Sequence, residues 1–222
     1  MNELLIYSDI GDSYWYDSIS AKDVKTQLDA MDDGELTVRI NSPGGSVFDG
    51  FSIYNLLNQR EGKVTVYIDG MAASAASVVA MAGDEILMAD NSLMMIHDPW
   101  TMMMGSANEM RDTADLLDKI KGSIVTTYQA KSELDADKIG GMMTAETWLT
   151  AQEAIDNGFA TGTVEGSAQS MNIKKPWINH APESIENQIN DINSRIEKIT
   201  AGFRVKSALL EREFKLTRDE MN

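Results

Sequence analysis

Residues 63–77 read KVTVYIDGMAASAAS, an alternating apolar run that passes directly into a segment of small residues. The alternation predicts a β-strand, and the small residues after it predict the start of a closely packed helix. A strand followed at once by a helix is the repeating unit of an α/β fold. Ser74 lies at the junction, where it is either a hydroxyl tolerated in a packed seam or a nucleophile at a helix start.

The same rhythm of strand and helix continues on both sides of this stretch. Short runs rich in Val, Ile, Leu and Tyr predict further strands at ELLIYS (3–8), ELTVRI (35–40), DEILMA (84–89) and SLMMIH (92–97). Helical segments are predicted over 20–31, with Ser20 as N-cap, over 46–60, and over 106–131, the longest of them. This order predicts a mainly parallel sheet with right-handed crossovers.

Two helices carry more detailed predictions. In the helix over 46–60, the core-facing residues are predicted to be Val47, Phe51, Tyr54 and Leu57 or Leu56. Thr150 and Glu153 have the spacing of a capping box, and Gly158 is placed to end that short helix.

Composition limits the classes of protein that this chain can belong to. Its 222 residues are 43% hydrophobic, enough for one good-sized core and an appendage. Cysteine is absent and only His97 and His180 occur, which argues against disulfides, a zinc finger or a histidine-built metal site. We expect no metal and no cofactor. No apolar run reaches 18 residues and the first residues lack a signal-peptide layout, so we expect a cytoplasmic protein that does not enter a membrane.

Charge is distributed unevenly along the chain, whose net charge is −16. Residues 1–170 carry 10 Lys and Arg against 27 Asp and Glu, whereas residues 171–222 carry 9 against 8. An acidic body argues against binding to nucleic acid, because phosphate contacts need Lys and Arg. The nearly neutral end indicates a separate module.

The chain is therefore predicted to divide into an α/β domain over 1–165, a linker over 166–184 and a helical tail over 185–222. The linker stretch contains two prolines and has no periodicity. In the tail, apolar residues recur at spacings of four and three, at Ile185, Ile189, Ile192, Ile196, Ile199 and Phe203. This pattern predicts a short coiled-coil seam for self-association or docking; a lone amphipathic helix folded onto its own domain is the alternative.

Three features carry residues suited to acyl transfer. Ser74, at a helix start, would have free backbone N–H groups nearby to stabilise an oxyanion. The pair Gly44 and Gly45 follows another predicted strand and suits either an oxyanion hole or a simple tight turn. His97 closes a third strand, where it is either the general base for a serine or a structural histidine.

A histidine base needs an acid to orient it, and the choice of acid is ambiguous. Asp98 is adjacent to His97, and neighbours in an extended strand point to opposite faces, so Asp98 is a poor candidate. Asp90, Asp135, Asp137 and Glu146 remain.

Taken together, four stretches resemble the Clp protease proteolytic subunit (ClpP) family of serine peptidases. In the order of that family, they are INSPGGSVFDGFSIYNLL (40–57), GMAASAASVVAMAG (70–83), NSLMMIHDPW (91–100) and ETWLTAQEAIDNGFA (146–160). The resemblance implies a superhelix of βαβ units, as in the ClpP and crotonase folds, with a protruding handle helix at 106–131. A C-terminal helical extension is predicted to follow this domain.

The resemblance also implies roles for individual residues. Ser74 matches the nucleophile, His97 the base, and Glu146 the acid, a slot where the family normally has Asp. Backbone N–H groups of Gly45 and Ala75 match the oxyanion hole. Asp135 and Asp137 stay open as alternatives to Glu146.

Assembly and biological role are further implications of the resemblance. The family forms homo-oligomeric rings, stacked through the handle helix, that act on polypeptide substrates. A chain that begins near the first core strand and adds a tail resembles the phage prohead (head maturation) proteases, whose partners are capsid or scaffold proteins. The alternatives are a host-type peptidase with an ATPase partner, a crotonase-like acyl-CoA enzyme, and a catalytically silent structural ring.

Methionine is abundant, with 15 residues. Several surround the predicted site: Met94, Met95, Met102, Met103, Met104, Met142 and Met143. They predict either a pliable apolar groove for peptides or ordinary core filling.

Overall fold

Short amphipathic strands and capped helices alternate through residues 2–12 and 17–164, the part of the chain that the computed structural model describes. The strands are β1 (Asn2–Ile6), β2 (Asp9–Ile10), β3 (Ser18–Ile19), β4 (Leu36–Ser42), β5 (Val64–Ala73), β6 (Glu85–Ala89), β7 (Leu93–Ile96), β8 (Thr147–Thr150) and β9 (Gly162–Val164). The helices are α1 (Ala21–Asp29), α2 (Val47–Asn58), α3 (Ala75–Ala80), α4 (Ala107–Gln129), α5 (Ala136–Thr144) and α6 (Ala151–Asp156).

The main sheet follows the order β1-β4-β5-β6-β9, and all of these neighbours are parallel. Every second residue of β4 is fully buried, as alternation predicts for a strand against a helical layer. The predicted mainly parallel α/β fold is confirmed. α4, with 23 residues, is the longest described helix, as predicted for the handle helix.

β5 is longer than the sequence pattern predicted, because the small residues Gly70–Ala73 continue the strand rather than begin a helix. Its first part, Thr65–Ile68, pairs with β6, and its last part, Met71–Ala73, pairs with β7. The sheet therefore branches at β5, which has β6 as its neighbour along one part and β7 along another. The carboxyl ends of β4, β5 and β7 meet at one edge.

Three elements near the carboxyl end of the described domain, β8, α5 and β9, were not predicted. β8 pairs antiparallel with β7, with Thr147 opposite Ile96. α5 begins after Asp135, whose carboxylate accepts the backbone N–H of Lys138 at 2.7 Å. The run Thr-Trp-Leu-Thr of β8 carries a strand signal, although it is only 4 residues long.

The predicted helix caps are confirmed. Ser20 caps α1, and Thr150 and Glu153 form a capping box on α6. Gly158 follows that helix with φ of +77°, a conformation that favours glycine.

The predicted buried face of α2 is wrong in part. The structure buries Gly50, Ile53 and Leu57, whereas Val47, Phe51 and Tyr54 are only partly buried. The cause is close packing on α3: a Cβ added at Gly50 would lie 3.1 Å from Ala75 Cβ, so this glycine lets the two helices approach.

The predicted linker over 166–184 and the helical tail over 185–222 lie outside the described residues. The domain boundaries thus stay predictions. No helix within 2–12 and 17–164 has the length and apolar character needed to cross a membrane.

Candidate active site

Strand register brings Ser74 and His97 together. Ala73, the last residue of β5, pairs with Met95 of β7, and the Ser74 N–H donates to the Met95 carbonyl at 2.9 Å. Ser74 and His97 thus leave adjacent parallel strands at the same edge of the sheet. The His97 Nε2 atom lies 2.8 Å from Ser74 Oγ, which is hydrogen-bond distance.

Ser74 is held in a strained backbone conformation. It is the N-cap of α3, with φ of 54° and ψ of −126°, and its side chain makes no capping hydrogen bond. A non-glycine residue at positive φ costs about 1–3 kcal/mol, and such residues persist where their surroundings hold them. All six residues of α3 behind it are buried, so the packed helix fixes this turn and leaves Oγ free for His97.

The glycine pair after β4 lies directly against the Ser74 turn. Ile10 holds it on both sides: the Ile10 N–H donates to the Gly44 carbonyl at 2.7 Å, and the Ser46 N–H donates to the Ile10 carbonyl at 2.8 Å. A Cβ at Gly44 would lie 2.7 Å from Ser74 Cβ and 2.9 Å from Ala75 N. Only glycine permits this approach.

Two backbone donors face this edge without an internal acceptor. Within the described ranges, neither the Gly45 N–H nor the Ala75 N–H is engaged in a hydrogen bond. Ala75 is 4% exposed, and buried backbone N–H groups are nearly always paired, so its unpaired donor beside a strained serine is available to a ligand. Gly45 is exposed, so its N–H is open to solvent or to a ligand. Both donors also have the chemistry that an oxyanion hole requires.

Glu146 lies on the far side of His97. Because β8 runs antiparallel to β7, the residue before Thr147 lies across from the residue after Ile96. Glu146 Oε2 is 3.9 Å from His97 Nδ1, which is an electrostatic contact and is too long for a hydrogen bond. The Glu146 side chain is 61% exposed, against 17% for His97, and its backbone has φ of 48°.

The other acidic candidates have different positions. Asp98 points away from the site, as predicted, since it forms an ion pair with Lys121 at 2.8 Å and accepts a hydrogen bond from Thr144 at 3.0 Å. Asp135 caps α5. Across residues 17–164, Glu146 is the one carboxylate within 4.0 Å of a His97 ring nitrogen.

Residues 11–167 match the family model described as Clp protease. The chain belongs to the Clp protease family. It is similar to ATP-dependent Clp protease proteolytic subunits, with 35% identity to that of Bacteroides thetaiotaomicron over 64% of this chain and 67% of the relative. Identity to the Porphyromonas gingivalis subunit is 30%, over 67% of this chain and 70% of the relative.

A solved structure gives the same fold. A mutant of ClpP1 from Listeria monocytogenes superposes with a TM-score of 0.64, at 24% identity, over 75% of this chain and 92% of the other. With the family established, the chain is a ClpP-type serine peptidase, and the predicted family membership is confirmed.

Ser74 and His97 line a cleft of about 650 Å³. One wall is an apolar face of α4 that includes Leu116, Leu117, Ile120 and Ile124. Of the methionines predicted near the site, Met95 lines this cleft, whereas Met94 and Met143 are buried in the core and Met102 and Met104 are exposed outside the cleft lining. Core filling therefore holds for Met94 and Met143, and the methionine groove for peptides stays a prediction.

Two features of the Clp protease domain were missed at the level of sequence. Ser77 donates to the Ser74 carbonyl at 2.6 Å, and its Oγ lies 2.8 Å from Tyr128 Oη on α4. Tyr128 also packs edge-on against Phe159, and burial raises the pKa of its phenol. No local signal links Ser77 to a tyrosine 51 residues away.

The second missed feature is Asp9, which lines the cleft from β2. Partial burial raises the pKa of its carboxyl group. Within residues 2–12 and 17–164, no three carboxylate, histidine or cysteine side chains converge as a metal site requires.

Proposed function

We propose that this peptidase cleaves peptide bonds through an acyl-enzyme on Ser74, with His97 as general base, Glu146 as the acid that orients it, and the Gly45 and Ala75 N–H groups as the oxyanion hole. The observation that carries the proposal is the 2.8 Å contact between His97 Nε2 and Ser74 Oγ. A nucleophile and a base at this distance are the signature of activated-serine chemistry.

The steps follow from the positions of the atoms. Ser74 Oγ attacks the peptide carbonyl carbon while His97 Nε2 takes the hydroxyl proton, and the carbonyl oxygen becomes an oxyanion. The two free N–H groups donate to that oxygen. His97 then passes its proton to the leaving amine, the carbon–nitrogen bond breaks, and water releases the acyl group by the same proton transfers in reverse order.

Glu146 has a limited role in this scheme. At 3.9 Å it stabilises the imidazolium through charge, and the exposed carboxylate keeps its own contact with water. Because longer-range attraction in water is weak, its contribution is smaller than that of a buried aspartate bonded to the imidazole.

The experiment that tests this chemistry is labelling with a fluorophosphonate probe. The native protein is expected to be labelled at Ser74 and to cleave an unfolded peptide, and Ser74→Ala is expected to lose both properties. Ser52→Ala, which removes an exposed hydroxyl from α2, is the matched control and should keep both. Labelling that persists in Ser74→Ala overturns the assignment, and a ring that no probe labels favours the silent structural alternative.

The assembly that we propose is a homo-oligomeric ring, with two rings stacked through α4. Support comes from the exposed apolar side chains on that helix, Met110 and Leu116, and from membership of the family. Light scattering that reports a monomer at micromolar concentration contradicts this assembly.

The biological substrates that we propose are capsid or scaffold proteins processed during phage head maturation. The support is the chain beyond residue 167, which the family match does not cover and which resembles the extension of prohead proteases. Incubation with capsid and scaffold proteins from the neighbouring genes should give discrete cuts without ATP. If unfolded proteins are degraded only with an ATPase, the host-type alternative is correct, and thioesterase or hydratase activity without serine labelling favours a crotonase-like enzyme.

A further inference from the structure

The side chains that line the catalytic cleft include a carboxylate but no lysine or arginine to balance its charge. Most of the lining is apolar, from α4 and from Phe48 and Trp100. Asp9 is the one carboxylate among the described lining residues, and that lining includes no Lys or Arg. A peptide that enters the cleft therefore meets one carboxylate, Asp9, on a lining whose other side chains, His97 apart, are apolar or neutral.

Asp9 is held close to the proposed oxyanion turn. Its neighbour Ile10 is 3% exposed and hydrogen bonds to the backbone of Gly44 and Ser46 on either side. Successive side chains of a strand point in opposite directions. Since Ile10 points into the core, Asp9 points to the cleft, and the rigid turn sets its distance from the scissile bond.

The Asp9 carboxylate also lacks the partner that comparable acids have. Four acidic side chains in the described chain are partly buried: Asp9, Asp49, Asp69 and Asp98. Asp49 accepts hydrogen bonds from Ser46 and Ala21, and Asp69 and Asp98 pair with Arg39 and Lys121. Among residues 2–12 and 17–164, the Asp9 carboxylate has no hydrogen bond or ion pair, and Asp9 is paired only through its backbone, in β2.

A partly desolvated charge without a partner is unfavourable, and the folded protein tolerates it only at a cost in stability. Desolvation by burial is the cause of the raised pKa of Asp9, with no compensating contact. A cation supplied by a substrate would remove this penalty, because an opposite charge within about 4–6 Å favours the ionised carboxylate.

We propose that Asp9 forms a subsite for a lysine or arginine side chain of the substrate, on the side of the scissile bond next to the Gly44–Gly45 turn. The inference rests on the proposed peptidase function of Ser74 and His97. The net charge of −16 acts in the same direction, since an acidic body attracts basic chains and raises their local concentration.

The test uses internally quenched peptides that differ at one position, which carries lysine, the neutral norleucine, or glutamate. The substituted position is moved stepwise along the peptide on both sides of the cleaved bond. At one position, kcat/KM for the lysine peptide is expected to exceed that of the norleucine peptide about fivefold, and the glutamate peptide should be the poorest. Because the pair is partly exposed, high salt should reduce this ratio.

Variants identify the side chain responsible. In Asp9→Asn the lysine-to-norleucine ratio is expected to fall to about one, and in Asp9→Lys the preference should turn toward glutamate. Asp12→Asn removes an exposed carboxylate outside the cleft lining and should keep the native ratio. If Asp9→Asn does not fold, the charge reversal and the salt dependence of the native protein still decide the question.

The outcomes separate the two proposals. If a fluorophosphonate fails to label the native protein at Ser74, the peptidase chemistry is wrong. If labelling succeeds but no position prefers lysine, or if Asp9→Asn keeps the native ratio, the subsite alone is wrong.

Discussion

The neighbours of the two ring nitrogens of His97 differ in distance, in exposure and in how firmly they are held. On the Nε2 side, Ser74 is 2.8 Å away, at the start of a wholly buried helix, and a glycine pair and β7 hold its backbone. On the Nδ1 side, Glu146 is 3.9 Å away and 61% exposed. Both Ser74 and Glu146 have positive φ, and no other non-glycine residue in the described ranges does. Packing therefore enforces the geometry on the Ser74 side, whereas the acid is held by its backbone alone.

The largest expected effect comes from disturbing the packed side. In Gly44→Ala the new Cβ would lie 2.6 Å from the Ala73 carbonyl oxygen, at φ of +97°. We expect the displaced turn to lower kcat/KM about a thousandfold and the free energy of unfolding to fall by about 2 kcal/mol. Peptide hydrolysis and chemical denaturation measure the two effects.

Gly141→Ala is the control, because a Cβ there meets no atom within 4 Å and a helical alanine is favourable by about 1 kcal/mol. If Gly44→Ala retains native turnover, the packed side is more adaptable than the structure indicates.

The next effect concerns the acid. Glu146→Gln removes the charge and keeps the shape, and turnover is expected to fall about tenfold to hundredfold, less than the roughly 10⁴-fold loss for a buried triad aspartate. Steady-state kcat on a fluorogenic peptide is the measurement, and Glu133→Gln, at an exposed site, is the control. No change in kcat excludes Glu146 and makes Asp135 and Asp137 the next variants to test.

A smaller effect is expected from relieving the backbone strain at Ser74 and at Glu146. Glycine adopts positive φ without the cost that alanine has, so Ser74→Gly should unfold with a free energy about 1 kcal/mol higher than Ser74→Ala. The same pair of substitutions at Glu146 should differ by less, because exposed backbone relaxes. Equal differences at both positions contradict the contrast drawn between the two sides.

The smallest effect is the pH dependence from Asp9. Its folded-state pKa lies above the ordinary value of 3.8, so the native state binds this proton more tightly than the unfolded chain does. Stability is therefore lost as pH rises between the unfolded and the folded pKa. Asp9→Asn should be more stable than the native protein at pH 7 and lose that advantage below pH 3.8. The difference should be less than about 1 kcal/mol, because solvent screens the charge of this partly exposed group.

Thermal melts across pH measure this difference, with Asp12→Asn as the control. An Asp9→Asn protein whose advantage grows on acidification contradicts the sign.

Much of the fold was predictable because its signals are local. Alternation marks β4 and most of β5, and side-chain caps mark the starts of α1 and α6. The extension of β5 through Gly70–Ala73 was missed because small residues carry little strand signal. The face of α2 was predicted wrongly in part because apolar residues occur all round it, so that close packing at Gly50 decides what is buried.

The candidate site was predictable to the extent that motifs carry it. Ser74, His97 and the glycine pair follow strand ends, and parallel register brings such ends together. Register itself depends on pairing between distant segments. The sequence therefore predicts neither the 3.9 Å distance between Glu146 Oε2 and His97 Nδ1 nor the position of Asp9 in the cleft lining. The link from Ser77 to Tyr128 is likewise a product of tertiary packing.

Because β5 runs from the centre of the sheet to Ser74, the order in which the sheet forms determines when activity can begin. Its first half forms the centre of the sheet, and its second half ends next to Ser74, the proposed nucleophile. The catalytic edge therefore cannot form before the central strand has paired, and it should be among the last regions to lose protection from hydrogen exchange. In a nascent or partly unfolded chain Ser74 and His97 are not yet brought together, so under the proposed mechanism completion of the sheet itself prevents premature proteolysis.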